Sequence, residues 1–162
     1  MTAKIDLENL VHEIGPGFAA KAAERDETDG FVDDNYDVLK EHGILSAMVP
    51  AELGGGGVSH SEMAAFIRAL AHYCSSTALA LSMHQQLVAA AVFNYRNDRP
   101  GWQVLEKVAA NDLVLVSTGA NDWMESNGEM ERTDGGYLVS AKKPFASGSP
   151  RGNVLVTSAP YE

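Results

Sequence analysis

From Ala69 to Tyr95 the chain carries no Asp, Glu, Lys or Arg. A run of that length without charge either crosses a membrane or is enclosed by protein. It contains His72, Ser75, Ser76, Thr77, Ser82, His84, Gln85, Gln86 and Asn94. A bilayer interior offers those groups no water, so the run is too polar to be a span. It reads instead as buried helix. The rest of the chain must then supply the elements that bury it, which points to a helical domain packed on several sides.

The flanking sequence provides such elements. Leu7, Leu10, Val11 and Ile14 fall on one helical face. "GPG" at 15–17 is expected to break or kink that helix, with Pro16 opening a second piece. "DETDG" at 26–30 reads as a turn. A helix over 31–42 follows, with Phe31, Val38 and Leu39 as its apolar side. Gly43 suits the position after a helix end, and Ile44 the apolar clamp beyond it. "ILSAMVPAELGGGGVS" reads as an irregular connection. Ser59 and Glu62 then have the spacing of a capping box. Behind them Met63, Phe66, Ile67, Leu70 and Cys74 form a 3.6-period stripe. "CSST" at 74–77 interrupts it, and the next helix runs to about Tyr95. Pro100 suits the start of a further helix carrying Trp102, Leu105 and Val108.

The texture changes at residue 113. "LVLVS" is a short apolar run of strand type. "EMERTDGGYLVS" reads as strand, Asp-Gly-Gly turn, strand, and "NVLVTSA" at 153–159 as another strand. The fold class expected is therefore α+β: an all-α domain over 1–112, then the beginning of a mainly antiparallel β-domain over 113–162. So few strands leave open edges, and the sequence is expected to stop within its second domain.

Charge and motifs exclude much. With 12 Lys and Arg against 22 Asp and Glu, the formal net charge is −10. A nucleic-acid backbone or an anionic membrane needs clustered cations, so neither is the expected partner. A single cysteine, Cys74, rules out an internal disulfide and suits a reducing compartment, the cytoplasm. "MTAKIDLENL" lacks the apolar core of a secretory signal. The run Gly54–Gly57 lacks the Lys-Ser/Thr ending of a phosphate loop. Ser59 stands where the third glycine of a dinucleotide fingerprint would be, and helix follows rather than a βαβ unit. Histidines 12, 42, 60, 72 and 84 show no metal-ligand spacing, and no metal site is expected. Cys74 has no evident orienting partners for nucleophilic work, and no G-x-S-x-G elbow occurs.

What remains is "YLVSAKKPFASGSP" at 137–150. Phe145, expected on a strand, sits beside Ala146, Ser147 and Gly148. An aromatic face with a hydroxyl and backbone groups next to it can receive the flat face and polar edge of a planar ring. A plain hairpin accounts for the first half of the stretch without any ligand.

Several of these segments resemble the acyl-CoA dehydrogenase family of flavoproteins. "FVDDNYDVLKEHGILSAMVPAELGGGGVS" is similar to that family's helix, glycine stop, Val-Pro, acidic residue and glycine cluster. "SMHQQL" and "VLEKVAANDLVLVS" fit in order and spacing, and "AKKPFASG" resembles its strand Gly-x-Lys-x-Trp-Ile-Thr-Asn. The resemblance covers nearly the whole chain. It implies a helical N-terminal domain, a middle β-domain and a C-terminal four-helix bundle absent from this sequence, usually assembled as a tetramer. It implies FAD as cofactor and an acyl thioester, an acyl-CoA, as small-molecule substrate, with hydride transfer from the β-carbon to flavin N5.

Residue by residue, the resemblance puts Phe145 on the flavin, Ser147 near N5 and Ala146 beside it. Ser117 or Thr118 would meet the pyrimidine edge, with Val114 and Val116 on the same strand, and His84 would lie in a helix bordering the acyl cavity. The family's catalytic Glu comes from the C-terminal region, so no residue of 1–162 is assigned as catalytic. Here "STGANDWMESNG" replaces the family's Thr-Glu-Pro and Gly-Ser-Asp, and Phe145 replaces its Trp. These departures are similar to flavin-dependent monooxygenases of the same fold, the alternative activity. A non-catalytic helical module that associates with other subunits is the second alternative.

Overall fold

Ser59 and Glu62 close the reciprocal cap expected of them. The Glu62 N–H donates to Ser59 Oγ at 3.3 Å, and the Ser59 N–H donates to Glu62 Oε2 at 2.9 Å. The helix they start, α3, spans His60–Ala71. The computed structural model describes residues 5–119, 122 and 124–161. Before α3 come α1, Leu7–Thr28, and α2, Asp33–Glu41. After it come α4, Ser75–Arg96, and α5, Val104–Asn111. Strands follow: β1 Leu115–Ser117, β2 Glu129–Thr133, β3 Gly136–Ser140 and β4 Val154–Val156.

The uncharged run is the core. α4 buries Ala78, Leu81, His84, Gln85, Leu87 and Val88, packing on α3 along one side and on β1 along another. α1 covers α3 through Leu7, Leu10, Val11, Ile14 and Phe18. No helix among the described residues is long and apolar enough to cross a membrane.

Three local expectations are corrected. α1 does not break at "GPG": Pro16 lies inside it. Pro16 lacks the N–H for an i→i−4 bond, yet tertiary packing holds the helix together. Gly15 leaves room for Tyr73, whose ring would lie 2.4 Å from a Cβ at that position. The Tyr73 hydroxyl also lies 2.9 Å from His12 Nδ1. Gly15 therefore serves a close approach and not a bend. The turn expected at 26–30 begins later, because α1 runs to Thr28 and ends on Asp29 with φ 52°. Lys21 and Arg25 near that end pair with Asp34 of α2. The helix expected from Pro100 begins at Val104 instead, with Pro100 in the preceding turn.

The connection 44–58 folds back on itself. Gly56 N–H donates to Ser46 O at 3.2 Å, Gly57 N–H to Val49 O at 2.9 Å, and Val58 N–H to Ala47 O at 2.8 Å.

The β2–β3 hairpin forms as expected. Thr133 pairs with Gly136 across Asp134 and Gly135, and Gly135 takes φ +85°. The second pairing is parallel, with Leu115 opposite Val154 and Ser117 opposite Val156. A parallel pair requires the chain to leave and return between its strands, and the whole hairpin is that excursion. A further bridge joins Met130 to Tyr161. The outer faces stay open: Tyr137, Leu138, Val139, Leu155 and Tyr161 are exposed.

Candidate functional site

The end of β1 and the segment after β3 meet. Gly119, with φ +91°, closes β1's exit, and a Cβ there would lie 3.6 Å from Phe145 Cβ. Phe145 itself is 67% exposed, its ring uncovered, with Ala146 and Ser147 half-buried beside it. The structure thus brings together the two groups of residues expected to hold a planar ring.

The backbone under Phe145 differs from expectation. β3 stops at Ser140, and residues 141–148 are irregular rather than a strand. Pro144 has no N–H to give to a ladder. Beyond it the Ser149 N–H donates to Ala146 O at 3.0 Å, and Gly148 turns with φ +84°. Arg151 fastens this turn to α2 by an ion pair with Asp37. Gly148 sits against the Tyr36 hydroxyl, which is buried and makes no hydrogen bond. Burial pushes the Tyr36 phenol up to about 12.

On the β1 side, Val116, Ser117 and Thr118 are all buried. Val116 packs against Gly152, where a Cβ would come within 2.5 Å of its Cγ2, so its side chain serves the core. The Ser117 hydroxyl accepts the Gly119 N–H at 3.2 Å and keeps a proton to donate. The Thr118 hydroxyl gives its proton to Asp122 Oδ2 at 2.5 Å.

Asp122 and Lys143 are the residues that sequence reasoning missed. They form a buried ion pair, and hydrogen bonding from Lys143 and then Thr118 holds the Asp122 carboxyl well below the usual carboxylate range. The pair Lys142-Lys143 before Pro144 and Phe145 signals an ammonium that needs a carboxylate wherever one of the two is buried. Nothing in the sequence says which of 22 acidic residues provides it. Residues 120, 121 and 123 of "STGANDWMESNG" lie outside the described residues.

His84 proves to be a fastening. It is 1% exposed. The Leu115 N–H donates to its Nδ1 at 2.9 Å, so the ring proton sits on Nε2, which donates to Leu45 O at 2.8 Å. Both nitrogens are spent on backbone, leaving none for a ligand. Gln85 next to it donates to Ile44 O at 2.7 Å. α4 thereby grips two successive carbonyls of the connection and holds β1 on its other side. An apolar groove of about 610 Å³ opens between α3 and α4, lined by Met63, Ile67, Ala78, Leu79, Ser82 and Gln86 among others; His84 is not in its wall.

Burial pushes the His84 imidazole down to about 4, partly opposed by its bond to Leu45. Its folded value thus lies below the ordinary 6.5, and its contribution to stability is complete above pH 6.5. That contribution is lost as pH falls toward 4, because only the unfolded chain takes the proton. The loss totals roughly 3 kcal/mol at about 1.4 kcal/mol per unit. Stability from urea denaturation at pH 7 and pH 5 should differ by the part of that loss lying between them, about 2 kcal/mol, and a His84→Gln variant should show a flatter profile.

Among the described residues no group of three or more His, Cys, Asp or Glu could hold a metal ion.

Comparison with known proteins agrees with this architecture. The probable FMNH2-dependent monooxygenase SfnC of Pseudomonas putida is 29% identical over 150 residues, covering 93% of this chain and 37% of that protein. The putative acyl-CoA dehydrogenase YdbM of Bacillus subtilis is 27% identical over 144 residues, covering 85% of this chain and 38% of that protein. Among solved structures, KijD3 in complex with FMN and a dTDP-linked amino-keto sugar superposes with a TM-score of 0.83 at 28% identity. That match covers 100% of this chain and 41% of KijD3. The chain thus spans well under half the length of these relatives. Residues 12–112 match the pattern described as "Acyl-CoA dehydrogenase, N-terminal domain". That match spans more than half of the chain, and the chain therefore belongs to the acyl-CoA dehydrogenase family.

Proposed function

We propose that the chain contributes half of a flavin site in a flavin-dependent oxidoreductase. The observation that carries this reading is the exposed Phe145 side chain, whose Cβ stands 3.6 Å from where a Cβ on Gly119 would be, at the end of β1. The residues suit a flat heteroaromatic ring. Phe145 offers a stacking face, Gly119 leaves the neighbouring space clear of a side chain, and Ser117 has a hydroxyl proton for a polar edge. Ser147 stands beside Phe145 as the second hydroxyl. A bound flavin would supply two-electron redox chemistry there. The protein's part is to hold the ring flat, hydrogen-bond its edge and exclude water from one face. The likeness to an FMNH2-dependent relative and to an FMN complex supports flavin in either form. FAD, implied by the family resemblance, remains part of the proposal.

Two activities follow. The monooxygenase reading is supported by SfnC's described activity, by Gly119 following Thr118 where the family has Glu, and by Phe145 in place of Trp. Dehydrogenation of an acyl thioester is supported by the likeness to YdbM. The catalytic base is assigned to no residue of this chain. Cytoplasmic location and assembly with further copies or subunits complete the proposal.

FMN and FAD titration of the purified protein tests the flavin reading. Phe145→Ala should weaken binding about tenfold or more, since aromatic stacking on a heterocycle contributes roughly 1–3 kcal/mol. Equal affinity in wild type and variant would refute the placement. Transfer of an oxygen atom from O₂ into the organic substrate with supplied reduced flavin would favour the monooxygenase, and its absence alongside acyl-CoA oxidation would favour the dehydrogenase.

A further inference from the structure

We propose that Asp122 is a positioning residue of the Phe145 half-site, locking both of its sides through a single carboxylate. The proposal rests on the flavin reading only for its functional consequence; the positioning itself concerns this chain alone.

One arm runs to the Phe145 segment. Lys143 Nζ pairs with Asp122 Oδ1 and donates to Asn127 O at 2.9 Å and Ser158 O at 2.7 Å. An ammonium has three protons, so these partners saturate it. Phe145 is two residues further on, across Pro144, whose ring fixes φ. The place of Lys143 therefore constrains where Phe145 emerges. The other arm runs to β1. Asp122 Oδ2 accepts the Thr118 hydroxyl at 2.5 Å and the Ser158 N–H at 3.3 Å. Thr118 directly precedes Gly119, whose Cβ position lies 3.6 Å from Phe145 Cβ. Both sides of the Gly119–Phe145 approach thus hang on one carboxylate, whose Oδ2 also accepts the Thr157 and Ser158 hydroxyls at the exit of β4, each at 3.3 Å.

Burial argues for position over stability. The Asp122 and Lys143 side chains are only 4% and 9% exposed. Replacing such a buried pair by neutral groups of similar volume is often neutral or stabilising, whereas removing one partner leaves an uncompensated charge. The contribution of the pair at this place therefore lies in the geometry it imposes.

The experiment separates the two roles. The protein is labelled with 4-fluorophenylalanine, and the Phe145 resonance is assigned by its disappearance in Phe145→Leu. Asp122→Asn alone should lower Tm sharply, by stranding the Lys143 ammonium. Asp122→Asn/Lys143→Met should recover most of that Tm. In this double variant the Phe145 resonance should stay displaced or broadened while those of Phe18 and Phe66 keep their wild-type shifts. FMN and FAD should bind it at least tenfold more weakly. Thr118→Val, which cuts the β1 arm and spares the ion pair, should displace the same resonance. Return of the Phe145 resonance to its wild-type shift in the double variant, or no displacement in Thr118→Val, would overturn the proposal. If the wild type binds neither FMN nor FAD, the flavin reading fails, and the resonances still decide the positioning role.

Discussion

Gly55→Ala should lower Tm by roughly 10 °C, a loss of about 3 kcal/mol or more. A Cβ at residue 55 would stand 2.3 Å from Val49 O, 2.4 Å from Val49 Cβ and 2.7 Å from Ser46 O. The clash is with backbone oxygens, not with a side chain that can swing away. Those oxygens are themselves fixed: Ser46 O accepts the Gly56 N–H and Val49 O accepts the Gly57 N–H. Relief requires the connection to come off the core, where Ile44, Leu45, Ala47 and Val49 are almost wholly buried. Gly17→Ala is the control. Nothing lies within 4 Å of its Cβ position, and it sits inside α1, so it should gain about 0.5–1 kcal/mol. Thermal melts of the two variants check both signs, and a Gly55→Ala melt within 2 °C or so of wild type would contradict the packing described.

His84→Leu should cost about 3–5 kcal/mol. The substitution roughly keeps volume, but it strands the Leu115 N–H and the Leu45 carbonyl in the core, each worth about 1–3 kcal/mol. The damage should also travel. β1 is held on α4 through this ring, and β1 delivers Ser117, Thr118 and Gly119 to the Phe145 cradle. Flavin affinity in His84→Leu should therefore fall further than in a variant of matched stability loss, such as a truncation within α1. Urea denaturation together with FMN titration measures both effects, and equal affinity in the two variants would assign His84 to stability alone.

These two residues show where reading a sequence succeeds and where it stops. The uncharged run predicts a buried helix, and α4 is that helix. Ser59 and Glu62 predict a cap, and Asp134-Gly135 a hairpin turn; both form. Such features are local, since their partners lie within a few residues and the spacing alone specifies the geometry. His84 was legible as buried, but its role was not, because its partners lie 39 and 31 residues away. The two groups that pattern picked out, Ser117–Thr118 and Phe145–Ser147, approach each other where Gly119 follows β1.

Other features escaped for a physical reason. The Gly15–Pro16–Gly17 break did not occur because Tyr73, distant in sequence, packs where a side chain would have been. The parallel β1–β4 pair, the irregular course of residues 141–148 and the choice of Asp122 as partner of Lys143 all depend on which surfaces meet after the helices pack. The sequence by itself determined that helices form around a buried uncharged one, the Ser59–Glu62 cap, the hairpin and the order of helical before strand-rich parts, since backbone propensity and hydrophobic period act over a few residues. Only the tertiary structure decided which acid holds Lys143, how Phe145 is presented and what His84 fastens, because a buried polar group takes whichever partner the fold carries to it.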